Sequence, residues 1–340
     1  MLIIAWETTS ACNLQCSYCR ASAKLTPEPD ELSASEALAF IDEIAALQPM
    51  IILSGGEPLL RPDIFLLAKH AFDKGLRTSL ATNGTLLSPE IVDKIAASGI
   101  KRVSISLDGP NSKAHDATRG SGCFIQAMKG IDNLQGKIDF QINTTITRRN
   151  RDNILSMFDL AENVGAKALH FFFLVPTGRG REEDLISSVQ QEEILRMIDK
   201  ESSRRPIEIQ VTCAPQYARI SKAKEGPKLK EGLELMDEPR VKDGRRRKGG
   251  CLAGRSFVFI SRRGEVYPCG YLPILAGSIR EKSFIEIWEN SPIFKSLKDR
   301  ELKGKCGQCG YTKICGGCRA RAYAKTGDYL ESDPLCPEAV

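Results

Sequence analysis

No run of apolar residues in this chain approaches the ~20 needed to span a bilayer. The longest, 168–176, is short and interrupted by His170. A basic, apolar leader is also missing, and Glu7 falls inside the first strand candidate, so no secretory signal is expected. Charge of one sign is scarce outside one segment. Net charge is +5, and residues 222–248, with ten basic and six acidic side chains, supply +4 of it. No basic-plus-aromatic pattern stands elsewhere, so nucleic-acid binding is not expected. These absences leave a soluble, cytoplasmic protein. At 340 residues, with 42% hydrophobic and 27% charged, it is globular and long enough for two domains.

Cysteine is what the chain has in excess, with twelve. Without an export signal these are not expected to pair as disulfides. In a reducing compartment, clustered cysteines point to metal ligation.

The first half alternates apolar runs with helix-period segments. Strands are predicted at 2–8, 50–54, 77–81, 103–107, 140–146 and 168–174. Ser33 and Glu36 read as a capping box ahead of a helix over 37–47. Ser88-Pro89 opens another helix, and Gly99 closes it. Six strand–helix units predict an α/β fold with a parallel sheet, either open and doubly wound or a partial barrel. In both, chemistry gathers at the C-terminal ends of the strands. A helical connector is expected over 182–206, and 222–248, charged and without an apolar period, reads as a loop or lid. From Cys251 the texture changes again. A β-hairpin is expected around 257–260 and 266–267, then a short helix over 285–297, then cysteine-rich loops that need a metal staple.

Cys12, Cys16 and Cys19 form C-x3-C-x2-C directly after the first strand. Three thiolates on one tight loop can each bind one iron of a cubane cluster and leave the fourth iron open. A structural zinc would want a fourth ligand nearby. The motif resembles that of the radical S-adenosylmethionine (radical SAM) superfamily, and Tyr18 stands where that family has an aromatic residue. Strand two ends in Ser54-Gly55-Gly56-Glu57-Pro58, similar to the family motif for the methionine amino group. The glycines would let backbone approach the ligand closely, and Glu57 could accept from an ammonium. The resemblance further implies cofactor contacts from Asn83, from Ser106 and Asp108 toward the ribose, and from Arg119 and Asn143 toward the methionine carboxylate. Arg119 could equally cap a helix or pair with Asp116, and Asp108-Gly109 is also ordinary turn chemistry. The resemblance covers roughly residues 1–210 and implies a partial (β/α)6 TIM-like barrel. It also implies reductive cleavage of SAM to a 5′-deoxyadenosyl radical, with no catalytic nucleophile or acid–base pair from the protein.

Cys251, Gly264, Cys269, Cys306, Cys309, Cys315, Cys318 and Cys336 follow a spacing that resembles the SPASM domain, which houses auxiliary clusters. One gap departs from the family pattern: Cys315 and Cys318 are separated by two residues where three are common. By resemblance, Cys306, Cys309, Cys315 and Cys336 would hold one 4Fe–4S cluster, and Cys251, Cys269 and Cys318 another. Cys213, at the end of an apolar strand expected over 207–212, is a candidate fourth ligand, while Cys123 reads as structural. One or two auxiliary clusters are therefore expected, with a zinc ribbon as the alternative. The expected organisation is a radical SAM core over 1–206, a connector over 207–250 and a SPASM-like domain over 251–340.

Stretches around Trp6-Glu7, Cys19-Arg20, Pro176-Thr177-Gly178-Arg179, Thr212-Cys213 and Cys315–Tyr323 resemble the heme b synthases. These decarboxylate two propionates of Fe-coproporphyrin III to vinyl groups. The resemblance implies that tetrapyrrole as substrate, and an electron donor such as ferredoxin or flavodoxin. A substrate with four carboxylates wants cationic recognition, and Arg179, Arg181, Arg319 and Arg321 are the candidates. A related enzyme trimming didecarboxysiroheme or a heme d1 precursor is the runner-up. A peptide maturase is disfavoured because the chain opens directly on strand one. An iron–sulfur electron carrier is disfavoured because it has no need of an open iron.

Overall fold

The computed structural model describes residues 1–223 and 250–337. The 222–248 loop expected from its charge pattern therefore lies almost wholly outside the described residues.

All six strands expected in the first half are present: β1 (Ile3–Glu7), β2 (Met50–Ser54), β3 (Arg77–Thr82), β4 (Arg102–Ser106), β5 (Asp139–Ile146) and β6 (Ala168–Phe173). Each pairs in parallel with the next. Helices α1 (Ala34–Ile44), α2 (Ile64–Asp73), α3 (Pro89–Ala97), α4 (Ser112–Arg119), α5 (Cys123–Leu134) and α6 (Ile154–Asn163) make the crossovers. Ser33 and Glu36 form the expected capping box, and α1 starts at Ala34 because Ser33 is its N-cap. Ser88 caps α3 ahead of Pro89.

The sheet is amphipathic across its thickness. Ile51, Leu53, Leu80, Val103, Ile105, Ile142, Leu169 and Phe171 are buried against the helices, and Phe171 meets Phe158 of α6 at 5.5 Å between ring centroids. Their neighbours of opposite parity are mixed, with apolar Ile52 and Phe172 but many polar side chains. Ser106, Asn143, His170 and Gln210 pair in one row across four strands, half-buried on the far face. A parallel sheet ordinarily buries both faces in apolar contacts. A polar inner face instead suits a lumen that receives a ligand at its C-terminal rim.

The apolar strand expected over 207–212, within the connector, is β7 (Glu208–Thr212), and it joins the core sheet by pairing in parallel with β6. It follows α7 (Ser188–Ser202), the expected connector helix, and precedes α8 (Tyr217–Ala223). The hairpin is also found, as β8 (Phe257–Ile260) and β9 (Glu265–Tyr267), with β10 (Gly277–Ser278) beyond it. It does not stand apart, however. β8 pairs in parallel with β1, so the strand order runs β10-β9-β8-β1-β2-β3-β4-β5-β6-β7. Both flanks of the six-strand core are thereby covered, which removes bare edges from β1 and β6.

The single helix expected over 285–297 is two, α9 (Phe284–Asn290) and α10 (Pro292–Asp299). The break is at Ser291, extended at φ −61 and ψ 128, because a residue before proline is excluded from the helical region. The small helices α11 (Gly304–Gln308) and α12 (Arg319–Thr326) frame the last cysteines.

Candidate active site

The C-x3-C-x2-C loop leaves β1 at the C-terminal rim and is held from two sides. From β2, Gly56 N donates to Thr9 O and Glu57 N to Ala11 O, each at 2.7 Å. A Cβ on Gly56 would fall 2.3 Å from Ala11 O, and one on Gly55 would fall 2.8 Å from Thr9 O. The two glycines thus make room for the cysteine loop's own backbone. From β6, Gly178 adopts φ +62 with a Cβ position 2.2 Å from Arg20 O. Arg179 N donates to Cys19 O at 2.9 Å, Arg179 Nε to Cys16 O at 2.9 Å and its NH1 to Ala23 O at 3.1 Å. Arg179 is therefore a clamp on the loop, and the rim-cation role expected of it is corrected.

The three thiols are unpaired, and Cys12 and Cys16 are buried. Burial pushes Cys12 up to about 11, with smaller contributions from the nearby Glu57, Cys16 and Cys19. Cys16 is also raised by burial, against the opposing charge of Arg119, whose NH1 lies 4.0 Å from its sulfur. Thiols so placed become thiolates when a metal takes the proton's position. Three on one loop beside a guanidinium fit an anionic iron–sulfur cluster.

Around this loop the strand ends bring together most of the residues expected to meet SAM. Asp108 is fully buried, and its Oδ2 accepts from both Tyr18 Oη and Arg119 Nε. Its Oδ1 accepts from Thr145 N at 2.8 Å. Arg119 NH2 donates to Tyr18 Oη at 2.8 Å. Burial disfavours the Arg119 charge, but Asp108 outweighs it and holds the guanidinium ionised. Asp108 therefore organises Tyr18 and Arg119, a correction to the ribose contact expected of it. His115 Nδ1 accepts from Asp108 N at 3.2 Å, and burial lowers that imidazole to about 4, so it stays neutral.

Glu57 is likewise engaged. It accepts from Thr82 Oγ1 at 2.8 Å, Asn83 N at 2.8 Å and Leu59 N at 3.2 Å, and burial pushes it up to about 7. Asn83 Nδ2 donates to Asn13 Oδ1 at 2.8 Å, which ties the end of β3 to the cysteine loop. Ser106 and Asn143 face the lumen as register partners. Sequence reasoning missed Glu7, which accepts from Arg20 at 2.5 Å and from Arg262 at 2.6 Å. Nothing in a lone Glu on a strand signals that its partners lie 13 and 255 residues away.

The C-terminal cysteines sort into two groups. The thiols of Cys213 and Cys318 are hydrogen-bonded, and Cys269 and Cys251 interact with them. The bond from Cys213 pulls Cys318 down to about 7, helped by Arg321 against burial. Cys213 reaches this group through a positive φ of 62°. The second group is Cys306, Cys315 and Cys336, with Cys309 on the same loop. Burial pushes Cys315 up to about 12. Gly316 and Gly317, at φ +72 and +59, turn the chain so that Cys315 joins one group and Cys318 the other. The two-residue gap is thus a junction between groups. Cys123 lies apart in α5 with its thiol toward Arg119 O at 3.6 Å, matching its structural reading.

Arg319 and Arg321 are corrected as rim cations. Arg321 is 1% exposed and pairs with Asp333 at 2.8 and 3.0 Å. Arg319, 3% exposed, bonds Gly317 O, Tyr329 O and Glu331 O. Arg181 has 74% of its side chain exposed and, among the described residues, its guanidinium pairs with Glu183, at 3.4 Å. Cations that sequence reasoning missed line a cavity of about 500 Å³ between the loops after β5 and β6 and helix α12. Arg148, Arg151 and Lys325 stand there with Arg321, opposite Glu182.

Comparison with known proteins agrees with this geometry. Residues 6–161 match the radical SAM superfamily, and 251–310 match an iron-sulfur cluster-binding domain, SPASM. An AdoMet-dependent heme synthase of Methanosarcina barkeri is 50% identical over 338 residues, covering 98% of this chain and 95% of the relative. One of Nitratidesulfovibrio vulgaris is 45% identical over 342 residues, covering 98% and 91%. The solved structure of native anSMEcpe with bound AdoMet and the Kp18Cys peptide shares the fold at a TM-score of 0.74 and 18% identity, covering 99% and 94%. The chain belongs to the radical SAM superfamily, bears a SPASM iron–sulfur domain, and shares a family with the AdoMet-dependent heme synthases.

Proposed function

We propose that this enzyme is a cytoplasmic oxidative decarboxylase that converts two propionate side chains of Fe-coproporphyrin III to vinyl groups, giving heme b. The observation that carries this reading is end-to-end likeness at 50% identity to a relative named for heme synthesis. Cys12, Cys16 and Cys19 would hold the 4Fe–4S cluster, with Tyr18, Glu57, Asn83, Ser106, Arg119 and Asn143 around SAM. Cys213, Cys251, Cys269 and Cys318 would hold a first auxiliary cluster, and Cys306, Cys309, Cys315 and Cys336 a second. When bound, these groups supply one-electron chemistry and hydrogen-atom abstraction.

The chain's own part is orientation and charge. Glu57 and Asp108, both buried, fix the strand-end loops, and Arg119 stands ready for an anionic ligand group. Arg148, Arg151 and Lys325 suit the carboxylates of the macrocycle. Each propionate gives up a hydrogen atom, CO2 and one electron, and the auxiliary cysteines beside the lumen suit that electron's acceptor.

Anaerobic incubation of reconstituted protein with SAM, reductant and Fe-coproporphyrin III, read by mass spectrometry, tests the reading. Stepwise loss of two carboxyl groups with 5′-deoxyadenosine is expected. SAM cleavage with an untouched porphyrin would overturn the substrate.

A further inference from the structure

Arg319, buried, and Arg300, half-buried, flank the C-terminal cysteines without a carboxylate partner among the described residues. Arg319 spends its donors on three backbone carbonyls and, through NH2, on the Cys306 sulfur at 3.6 Å. Arg300 donates to Thr312 O and Lys313 O, each at 2.5 Å, and to Cys251 O at 3.3 Å. Arg321, the third, is different, being neutralised by Asp333. Carbonyl dipoles do not cancel a full charge, and burying an unpaired cation costs several kcal/mol. A cluster ligated by thiolates is anionic, and it is the counter-ion this arrangement lacks.

The Arg319 side chain is unevenly divided between the two groups. Its guanidinium reaches the Cys306 sulfur directly, and Cys306 also receives Asp333 N–H at 3.5 Å, whereas Cys251 of the other group meets Arg319 through its backbone N–H and its charge alone. Cys318 receives Arg321 already paired with Asp333, whose Oδ2 also accepts from Cys318 N at 2.8 Å. Hydrogen bonds and positive charge at a ligand sulfur favour the more negative, reduced cluster.

The groups are also ordered in space. The Cys213 group is next to the cysteine loop of the core: Arg20, adjacent to Cys19, reaches Gly270 O, adjacent to Cys269, at 3.4 Å. The Cys306 group lies beyond it across the 315–318 turn. There a Cβ on Gly317 would fall 3.0 Å from the Cys306 sulfur and 2.9 Å from Asp333 Cβ.

We propose that Arg319 sets the reduction potential of the cluster at Cys306, Cys309, Cys315 and Cys336 above that of the cluster at Cys213, Cys251, Cys269 and Cys318. The electron left by each decarboxylation then runs outward. The inner cluster is oxidised as the outer is reduced, no proton moves, and a small one-electron carrier protein removes the electron. Arg319 is thus a positioning residue that acts through the cluster. This inference rests on the two auxiliary clusters of the proposed function.

The test is a redox titration, followed by electron paramagnetic resonance, of the reconstituted full chain and of Arg319→Gln and Arg319→Lys, with iron and sulfide assayed in each. Arg319→Gln should shift the outer cluster's reduction equilibrium at least tenfold toward the oxidised form, about 59 mV for one electron. The other two clusters and substrate-free SAM cleavage should stay put. Arg319→Lys, which keeps the charge, should stay within threefold of the parent. An unmoved outer potential in a fully iron-loaded Gln variant overturns the proposal. So does an equal shift of all clusters, a tenfold shift in the Lys variant, or loss of the outer iron from both variants, which would make the role structural. Fewer than three clusters' worth of iron in the unsubstituted protein would remove the underlying reading instead.

Discussion

Replacing Gly56 with alanine should abolish the cofactor site without touching any group that meets the cofactor. The added Cβ would stand 2.3 Å from Ala11 O, 2.7 Å from Ala11 C and 2.7 Å from Ser10 O. All three are backbone atoms, so no side chain can rotate away. Relief requires the strand-two turn and the 10–12 segment to separate by about an ångström, an overpacking cost of about 1–3 kcal/mol. The same movement breaks the bonds from Gly56 N to Thr9 O and from Glu57 N to Ala11 O, at about 1 kcal/mol each. The sum is about 3–5 kcal/mol, a large share of a typical domain's stability. Cys12, next to Ala11, moves with the segment. Gly136→Ala is the control, because Gly136 has φ +73 but nothing within 4 Å of its Cβ position, so only about 1–2 kcal/mol of backbone strain is expected there. Iron content after anaerobic reconstitution, 5′-deoxyadenosine formation and thermal unfolding should be measured on both. Gly56→Ala should lose SAM cleavage and about one cluster of iron, and Gly136→Ala neither. A Gly56→Ala protein that cleaves SAM within twofold of the parent would refute the steric argument.

Cys213→Ala should lower iron content and disturb one auxiliary signal, whereas Cys123→Ala should keep full iron; equal iron in both would exclude Cys213 as a ligand. Arg321→Met leaves Asp333 charged and buried, and should cost about 3–5 kcal/mol in denaturant unfolding; a cost under 1 kcal/mol would mean the pair is not buried as described. Glu57 sits at about 7 in the folded chain against an ordinary 4.5. Between those values the folded state binds more protons than the unfolded, so its contribution to stability falls as pH rises from about 4.5 to about 7, by about 3 kcal/mol, and is flat above. Thermal unfolding of cluster-free protein at pH 5 and 7.5 should show this slope and Glu57→Gln should lack it; an unchanged slope in the variant would assign it elsewhere.

The fold was legible in the sequence wherever local rules agree with global ones. The six strands, the Ser33–Glu36 box and the Ser88-Pro89 start all follow from periodicity and capping. The close packing of the motif glycines against the cysteine loop was not legible, since a close approach between two backbones leaves no trace in composition. The arginines failed for a related reason. A guanidinium looks alike in sequence whether it faces solvent, a substrate or a buried Asp333, and only tertiary structure decides which. Cys213 was within reach because a cysteine count left it over, whereas Glu7 and Asp333 had no such arithmetic. The pairing of β8 with β1 was not legible, because strands that share an edge need not share any local pattern.

That pairing has a consequence for how the chain is made. Ile3 pairs with Phe257, so β1 leaves the ribosome and waits for a strand about 250 residues later. At 5–20 residues per second the wait is on the order of ten to fifty seconds. During it the outer edge of β1 is an unpaired template, while the cysteine loop that follows it is already exposed. Nascent chains are therefore most vulnerable to intermolecular pairing in the interval before residue 260 emerges. A truncated chain ending there would keep that vulnerability for life.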